Sequence, residues 1–221
     1  MAWYQKTDGC DKEPRLEKPI GVIGTGNHAK LIELADLLTP AGVTWKFLKD
    51  FPHVGEVEET GCTFSENARL KAVTYAVRLG EWVLAEDAGL VVDALGGQPG
   101  IHSARFAGEP RDDARNIQKL LELMKDIPPE RRSARFVCYM ALADPRGEIQ
   151  AEAEGHCCGR ITFEPRGTQG FGYDPVFEIP EYHRTLAELG LAVKGCLSHR
   201  ARAARAILPQ IIRLVDSGKW R

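Results

Sequence analysis

The spacing of apolar residues changes several times along this chain, and each change marks an element. Ile20 to Ile23 is a short apolar run that reads as a buried strand. From Asn27 to Leu38 the apolar residues Leu31, Leu34, Ala35 and Leu38 recur at three- and four-residue spacing, which predicts one helix ended by Pro40 and Gly42. Val43 to Leu48 predicts a strand, followed by an acid-rich loop from Asp50 to Glu59. Thr63-Phe64-Ser65-Glu66 has the capping-box pattern of a helix start, and Gly80 closes that helix. Trp82 to Ala85 predicts a short buried strand. The polar pair Glu86-Asp87 ends it, and Val91 to Leu95 forms a second apolar run.

A glycine- and proline-rich loop is expected from Gly96 to Gly108. Ile117, Leu120, Leu121 and Met124 predict a helix over Arg111 to Lys125, stopped at Pro128-Pro129. Arg135 to Ala143 and Ile149 to Ile161 read as two long strands joined by the turn sequence Asp144-Pro145-Arg146-Gly147, hence an antiparallel hairpin. The last helix starts at Ser198 and carries Ala204, Ile207, Leu208, Ile211, Ile212 and Val215 on one face, with a bend expected at Pro209. Strands that alternate with helices early and pair as a hairpin later predict an α/β fold, with a mixed central sheet flanked by helices and an active-site cleft between two lobes.

Composition narrows the class. With 221 residues, 43% of them hydrophobic and 27% charged, the chain can bury a core as one domain over residues 20–221. A formal net charge of −2 gives no general attraction to nucleic acid or to an anionic membrane, so neither is an expected partner. No run of 18 apolar residues occurs. Met1 to Pro19 mixes acids and bases without an apolar centre and reads as a flexible arm, not an export signal. The six cysteines then read as reduced thiols of a cytoplasmic protein, with Cys138 in the core. His156-Cys157-Cys158 lacks the second ligand pair that a zinc site needs.

The candidate chemistry begins at Thr25-Gly26-Asn27-His28-Ala29-Lys30, a glycine turn from strand to helix of the kind that binds phosphate through free N–H groups. The same stretch, with Gly24, fits G-x-G-x-x-A with Asp50 about twenty residues on, so a dinucleotide-binding oxidoreductase is an alternative. Glu59 and the Glu86-Asp87 pair are candidates for a hard divalent cation such as magnesium. Asn67 and Lys71 lie four residues apart and share a helix face. Gly167 to Pro175 offers glycines with Phe171 and Tyr173, suited to a flat ligand, and Lys194 with Ser198-His199-Arg200 supplies donors for carbonyl or phosphate oxygens.

Taken in order, these blocks resemble the inosine triphosphate pyrophosphatase family from about Ile20 to Leu214. The matching stretches are Thr25-Gly26-Asn27-x-x-Lys30, Glu59-Thr60-Gly61-x-Thr63-Phe64-x-Glu66-Asn67-Ala68 with Lys71-Ala72, Glu86-Asp87-Ala88-Gly89-Leu90, Leu95-Gly96-Gly97-x-Pro99-Gly100, Ser103-Ala104-Arg105, Gly170-Phe171-Gly172-Tyr173-Asp174-Pro175 and Ser198-His199-Arg200. The resemblance implies magnesium-dependent hydrolysis of non-standard purine nucleoside triphosphates (ITP, dITP, XTP) to monophosphate and pyrophosphate, by a homodimer. It implies that Thr25 to Lys30, Asn67, Lys71 and the residue at Ala88 bind the substrate's phosphate side. It implies that Glu59, Glu86 and Asp87 hold magnesium, with Asp87 also accepting the proton of the attacking water. The base would meet Phe171, Gly172, Tyr173, Asp174, Lys194, His199 and Arg200. Two departures stand out: Ala88 where the family commonly has serine, and Gly195 where it commonly has asparagine. They leave a catalytically silent nucleotide-binding protein of the same fold as a second alternative.

Overall fold

The computed structural model describes residues 18–221, so the expected arm and Cys10 lie outside it, Lys18 and Pro19 excepted. In chain order the elements are β1 (Ile20–Ile23), α1 (His28–Leu37), β2 (Thr44–Phe47), α2 (Phe64–Leu79), β3 (Val83–Val92) and α3 (Asp113–Leu123). They continue with β4 (Ser133–Ala143), β5 (Ile149–Ile161), β6 (Phe177–Ile179), β7 (Arg184–Thr185), α4 (Leu186–Leu197) and α5 (His199–Asp216). The strands form one seven-stranded sheet in the order β2-β1-β3-β4-β5-β6-β7. β1 pairs parallel with β2 and β3, and every pairing from β3 through β7 is antiparallel, so the sheet is mixed as expected.

Alternation along the strands sorts the core onto the two faces of the sheet. Leu84, Met140 and Leu142 pack with Leu34 of α1 and Leu38 at its C-cap, and with Ala203, Ala204, Ile207 and Ile211 of α5. Their neighbours Val83, Ala85, Ala141 and Ala143 pack with Ala68, Ala72, Tyr75 and Ala76 of α2 on the other face. A third cluster, including Leu90, Leu120, Phe136, Tyr173 and Phe177, fills the far half of the sheet. Among the described residues no helix is long and apolar enough to cross a membrane.

Several expectations need correction. Glu86 and Asp87 do not end a strand; both are buried inside β3, which runs unbroken from Val83 to Val92 and pairs with β4 along its whole length. The polar pair survives there because other elements supply cations to it. α4, β6 and β7 were not expected; α4 is hard to read because Gly190 interrupts it at φ 82°, outside helical geometry. Only half of the capping box at α2 forms. Thr63 Oγ1 accepts from Glu66 N at 3.1 Å, while the Glu66 carboxylate accepts from Cys62 N at 2.6 Å.

The closest approach of α5 to the sheet depends on Gly155 in β5. A Cβ there would overlap two backbone atoms, Ala203 N and His199 O, which have no freedom to rotate away. Gly155→Ala is therefore expected to lower unfolding stability by about 1–3 kcal/mol, the usual range for forced overpacking. Chemical denaturation of the variant checks this, and an unchanged midpoint would show that α5 can shift without loss.

Candidate active site

The glycine turn sits at the carboxyl end of β1, where open α/β sheets commonly place ligands. Asn27 caps α1: its Oδ1 accepts from Ala29 N at 3.0 Å and Lys30 N at 3.2 Å, and its own N–H donates to Thr25 Oγ1. The turn is therefore less open than the sequence suggested. Gly26 and His28 keep N–H groups without a partner among the described residues.

Consecutive residues of a strand face opposite sides, and the acid pair follows that rule. Glu86 points to the side of α1 and α5. It meets Lys30 Nζ at 2.9 Å and Arg200 Nη2 at 3.3 Å, and Cys138 Sγ donates to its second oxygen at 3.3 Å. Burial alone would raise its pKa, but Arg200, Lys30 and Lys71 together outweigh that and hold the carboxyl well below the ordinary carboxylate range.

Asp87 faces α2 instead. Asn67 Nδ2 donates to its Oδ2 at 3.2 Å and Lys71 Nζ lies 3.4 Å from its Oδ1. Lys71 Nζ also donates to Glu59 Oε1 at 2.5 Å, so one ammonium serves two carboxylates. Burial raises the Asp87 pKa, with Lys71 opposing. Lys71 itself stays protonated, because Asp87 and Glu59 outweigh the effect of its burial.

The three expected magnesium ligands, Glu59, Glu86 and Asp87, have different partners. Among the described residues no group of three His, Cys, Asp or Glu side chains gathers to hold a metal. Glu59 and Asp87 are brought to one point, whereas Glu86 is already met by Lys30 and Arg200. The Glu59–Asp87 pair fits a hard cation: both donors are carboxylate oxygens, and a single ammonium between them leaves net negative charge. A cavity of about 450 Å³ opens beside this pair, lined by Glu59, Thr60, Gly61, Cys62, Asn67, Ile101, His102 and Arg105.

A buried cluster of alternating charges surrounds Phe171 on the α1–α5 side. Lys194 and Arg200 are 3% and 1% exposed, and both stand against the Phe171 ring, Nζ at 4.2 Å and Cζ at 5.8 Å from its centroid. Lys194 Nζ meets Asp174 Oδ2 at 2.6 Å and Glu33 Oε1 at 2.9 Å, and Arg200 Nη1 donates to Glu33 Oε2. His199 stacks on Phe136 at 4.8 Å. Its imidazole is kept neutral by burial and by the nearby Arg200. His199 Nδ1 and Arg200 Nε are buried without hydrogen-bond partners, a condition that costs about 1–3 kcal/mol per group unless a ligand supplies the partner.

Other expected residues have different surroundings. Tyr173 is 4% exposed, packs in the core, and donates its hydroxyl hydrogen to Ser103 O at 2.9 Å. Gly172 N donates to Asp113 Oδ2 at 2.7 Å. Ala88 pairs with Cys138 across β3 and β4 and offers no polar atom beyond its backbone. Gly195 has open space around it, so its departure leaves the Lys194–Asp174 contact intact. Lys194 belongs to the last turn of α4, just before the Ser198 cap of α5. Glu33 and Cys138 were not foreseen as site residues. The spacing Lys30-x-x-Glu33 on one helix face was the available signal for the first.

A mixed α/β sheet with a capped glycine turn, two buried strand carboxylates and a cluster of paired charges around Phe171 has the chemistry suited to a phosphorylated aromatic ligand. The chain belongs to the Ham1 family, whose model matches residues 21–210. A dITP/XTP pyrophosphatase of Rhodopirellula baltica is 50% identical over 196 residues, spanning 89% of this chain and 94% of its own length. A protein of the same name from Geobacillus kaustophilus is 51% identical over 200 residues, spanning 90% and 97%. Among solved structures, a HAM1 protein from Coxiella burnetii matches with a TM-score of 0.79 at 38% identity, covering 90% of this chain and 99% of its own. A dITP/XTP pyrophosphatase from Mycobacterium abscessus matches at 0.71 and 44% identity, covering 86% and 99%. The dinucleotide alternative loses its acid: Asp50 Oδ2 accepts from Phe47 N at 3.0 Å and closes a local turn.

The buried charges around Phe171 make a direct stability prediction. Lys194→Met leaves Asp174 and Glu33 without their shared ammonium and is expected to cost about 3–5 kcal/mol, as for other broken buried pairs. Adding Asp174→Asn should restore part of that loss in a denaturant titration. A single variant as stable as the parent would mean that the pocket is wetter than its burial implies.

Proposed function

We propose that this chain hydrolyses non-standard purine nucleoside triphosphates, of the ITP, dITP and XTP type, to nucleoside monophosphate and pyrophosphate. The observation that carries this reading is the pairing of Asp87 with Glu59 through Lys71, next to a glycine turn and a pocket of buried donors. Relatives about half identical along nearly their whole length are named for this activity.

The residues divide the work by position. The free N–H groups of Gly26 and His28, with Lys30 and Lys71, would hold the triphosphate at the positive end of α1. Glu59 and Asp87 would hold magnesium, which when bound supplies charge neutralisation for the phosphate oxygens. Asp87, its pKa raised by burial, is suited to orient a water and take its proton as the water oxygen bonds to the α-phosphorus. The bond from that phosphorus to the α–β bridging oxygen breaks, and pyrophosphate leaves with the electron pair. Lys30 and Arg200 keep Glu86 ionised and in place beneath the turn.

Lys194 and Arg200 give the pocket its base preference. A 6-oxo purine presents an acceptor to these donors, while adenine presents an amino group. A donor facing a donor costs about 1–3 kcal/mol per group left unsatisfied, roughly ten- to hundredfold in selectivity. The hydroxyl that the family commonly offers after the acid pair is missing at Ala88, so the phosphates rely on backbone N–H groups and lysines. Two further expectations accompany this reading: a homodimer, from the family resemblance, and a cytoplasmic setting, from six cysteines read as reduced thiols.

Incubation with ITP and magnesium should yield inosine monophosphate and pyrophosphate in equal amounts, and release of inorganic phosphate or no turnover would contradict the proposal. Asp87→Asn should abolish most turnover while leaving nucleotide binding, measured by calorimetry, largely in place. An unaltered rate would remove Asp87 from the chemistry.

A further inference from the structure

Ser103-Ala104-Arg105 has no part in the chemistry described so far, yet Arg105 lines the cavity that opens beside Glu59 and Asp87. It is the only lysine or arginine among the residues lining that cavity. The two lysines of the phosphate side are already committed: Lys30 meets Glu86 at 2.9 Å, and Lys71 serves Glu59 and Asp87 together. Arg105 has one loose partner, Glu109 at 3.5 Å, and both side chains are more than half exposed, so water screens the pair. Its charge is available to a ligand.

The backbone beneath that free side chain is fixed. Ser103 Oγ accepts from Leu90 N at 2.8 Å and donates to Gly100 O at 2.6 Å, which clasps the short 3-10 turn Gly100–Arg105 to β3. Gly89 permits the close approach, because a Cβ there would overlap Gly100 O and Ser103 Oγ. Asn116 of α3, itself 2% exposed, donates to Ala104 O at 3.0 Å and accepts from Ala107 N at 2.7 Å, so it grips the chain on both sides of Arg105. Leu90 follows Asp87 by three residues, roughly 10 Å along the strand, so the arginine is rooted at a distance from the attacked phosphorus.

We propose that Arg105 binds the β- and γ-phosphates of the substrate and stabilises them as they leave as pyrophosphate. This inference rests on the proposed function and names the residue that holds its leaving group. The base is served elsewhere: Arg200 meets Glu86 and Lys194 meets Asp174, on the sheet face opposite Asp87, while the cavity lies on the Asp87 side. When the bond from the α-phosphorus to the bridging oxygen breaks, the electron pair stays on that oxygen and the pyrophosphate gains negative charge. A guanidinium presents a planar fork of N–H donors that matches phosphate oxygens, and its attraction grows as that charge develops. Arg105 therefore acts on the rate as well as on binding. Glu109 holds the fork loosely until a phosphate displaces it.

The test compares the full chain with Arg105→Gln and Arg105→Lys, all with magnesium. Calorimetry measures the affinities for inorganic pyrophosphate and for inosine monophosphate, and steady-state kinetics gives kcat/KM for ITP. Arg105→Gln should weaken pyrophosphate binding and lower kcat/KM by about tenfold or more, the loss of one charge-assisted contact, with the monophosphate affinity unchanged. Arg105→Lys keeps the charge without the fork and should recover part of both losses. The exposure of the side chain means that neither exchange disturbs the core. A merely structural role would weaken both ligands alike, so equal losses overturn the assignment, as does an unchanged pyrophosphate affinity or an unaltered kcat/KM. A parent chain inert towards ITP would overturn the proposed function, while the two calorimetric affinities would still decide the role of Arg105.

Discussion

A carboxylate in the middle of a buried strand needs cations, and Glu86 makes that demand at the centre of this sheet. Its side chain is fully shielded from solvent, where an unpaired charge would cost several kcal/mol. Lys30 from α1 and Arg200 from α5 meet it, and Cys138 of β4 donates to the remaining oxygen. Three elements are thereby tied to one point on β3. The glycine turn precedes Lys30 and the base-side donors flank Arg200, so the same ionic contacts that make the strand tolerable also set the distance between the two ends of the candidate ligand.

The strand's alternation separates two kinds of chemistry that share a backbone. Glu86 serves the side where Arg200, Glu33, Lys194 and Asp174 alternate in charge around Phe171, and where recognition of a base is suited. Asp87, the next residue, faces α2, where Asn67, Lys71 and Glu59 surround it and hydrolysis is suited. The contrast in ionisation follows. Glu86 is held charged by the cations around it, while burial raises the Asp87 pKa and Lys71, shared with Glu59, opposes that rise only in part. A carboxylate held charged serves as an anchor, and one raised by burial serves as a proton acceptor.

Much of this was legible in the sequence where the signal is local. The helix stripe of α1, the start of α2 at Thr63 and the β4–β5 hairpin all follow from spacing and turn residues within a few positions. β3 was misread for a physical reason. Hydropathy along the chain counts Glu86-Asp87 as a break, and the partner that removes its cost, Arg200, lies 114 residues away. α4 escaped notice because Gly190 breaks its period, and β6 and β7 because strands of three and two residues leave no pattern. The order of the motifs pointed to the site as a whole. It did not reveal that Asn27 covers two of the N–H groups expected to be free, that Tyr173 belongs to the core, or that Glu33 joins the two basic residues.

The central claim is that Asp87 directs a water to the α-phosphorus of a bound triphosphate. Hydrolysis in water enriched in heavy oxygen, followed by mass spectrometry of both products, tests it most directly. The label should appear in the nucleoside monophosphate and be absent from pyrophosphate. Label in the pyrophosphate would mean attack at the β-phosphorus, which this arrangement of acids and lysines would not explain.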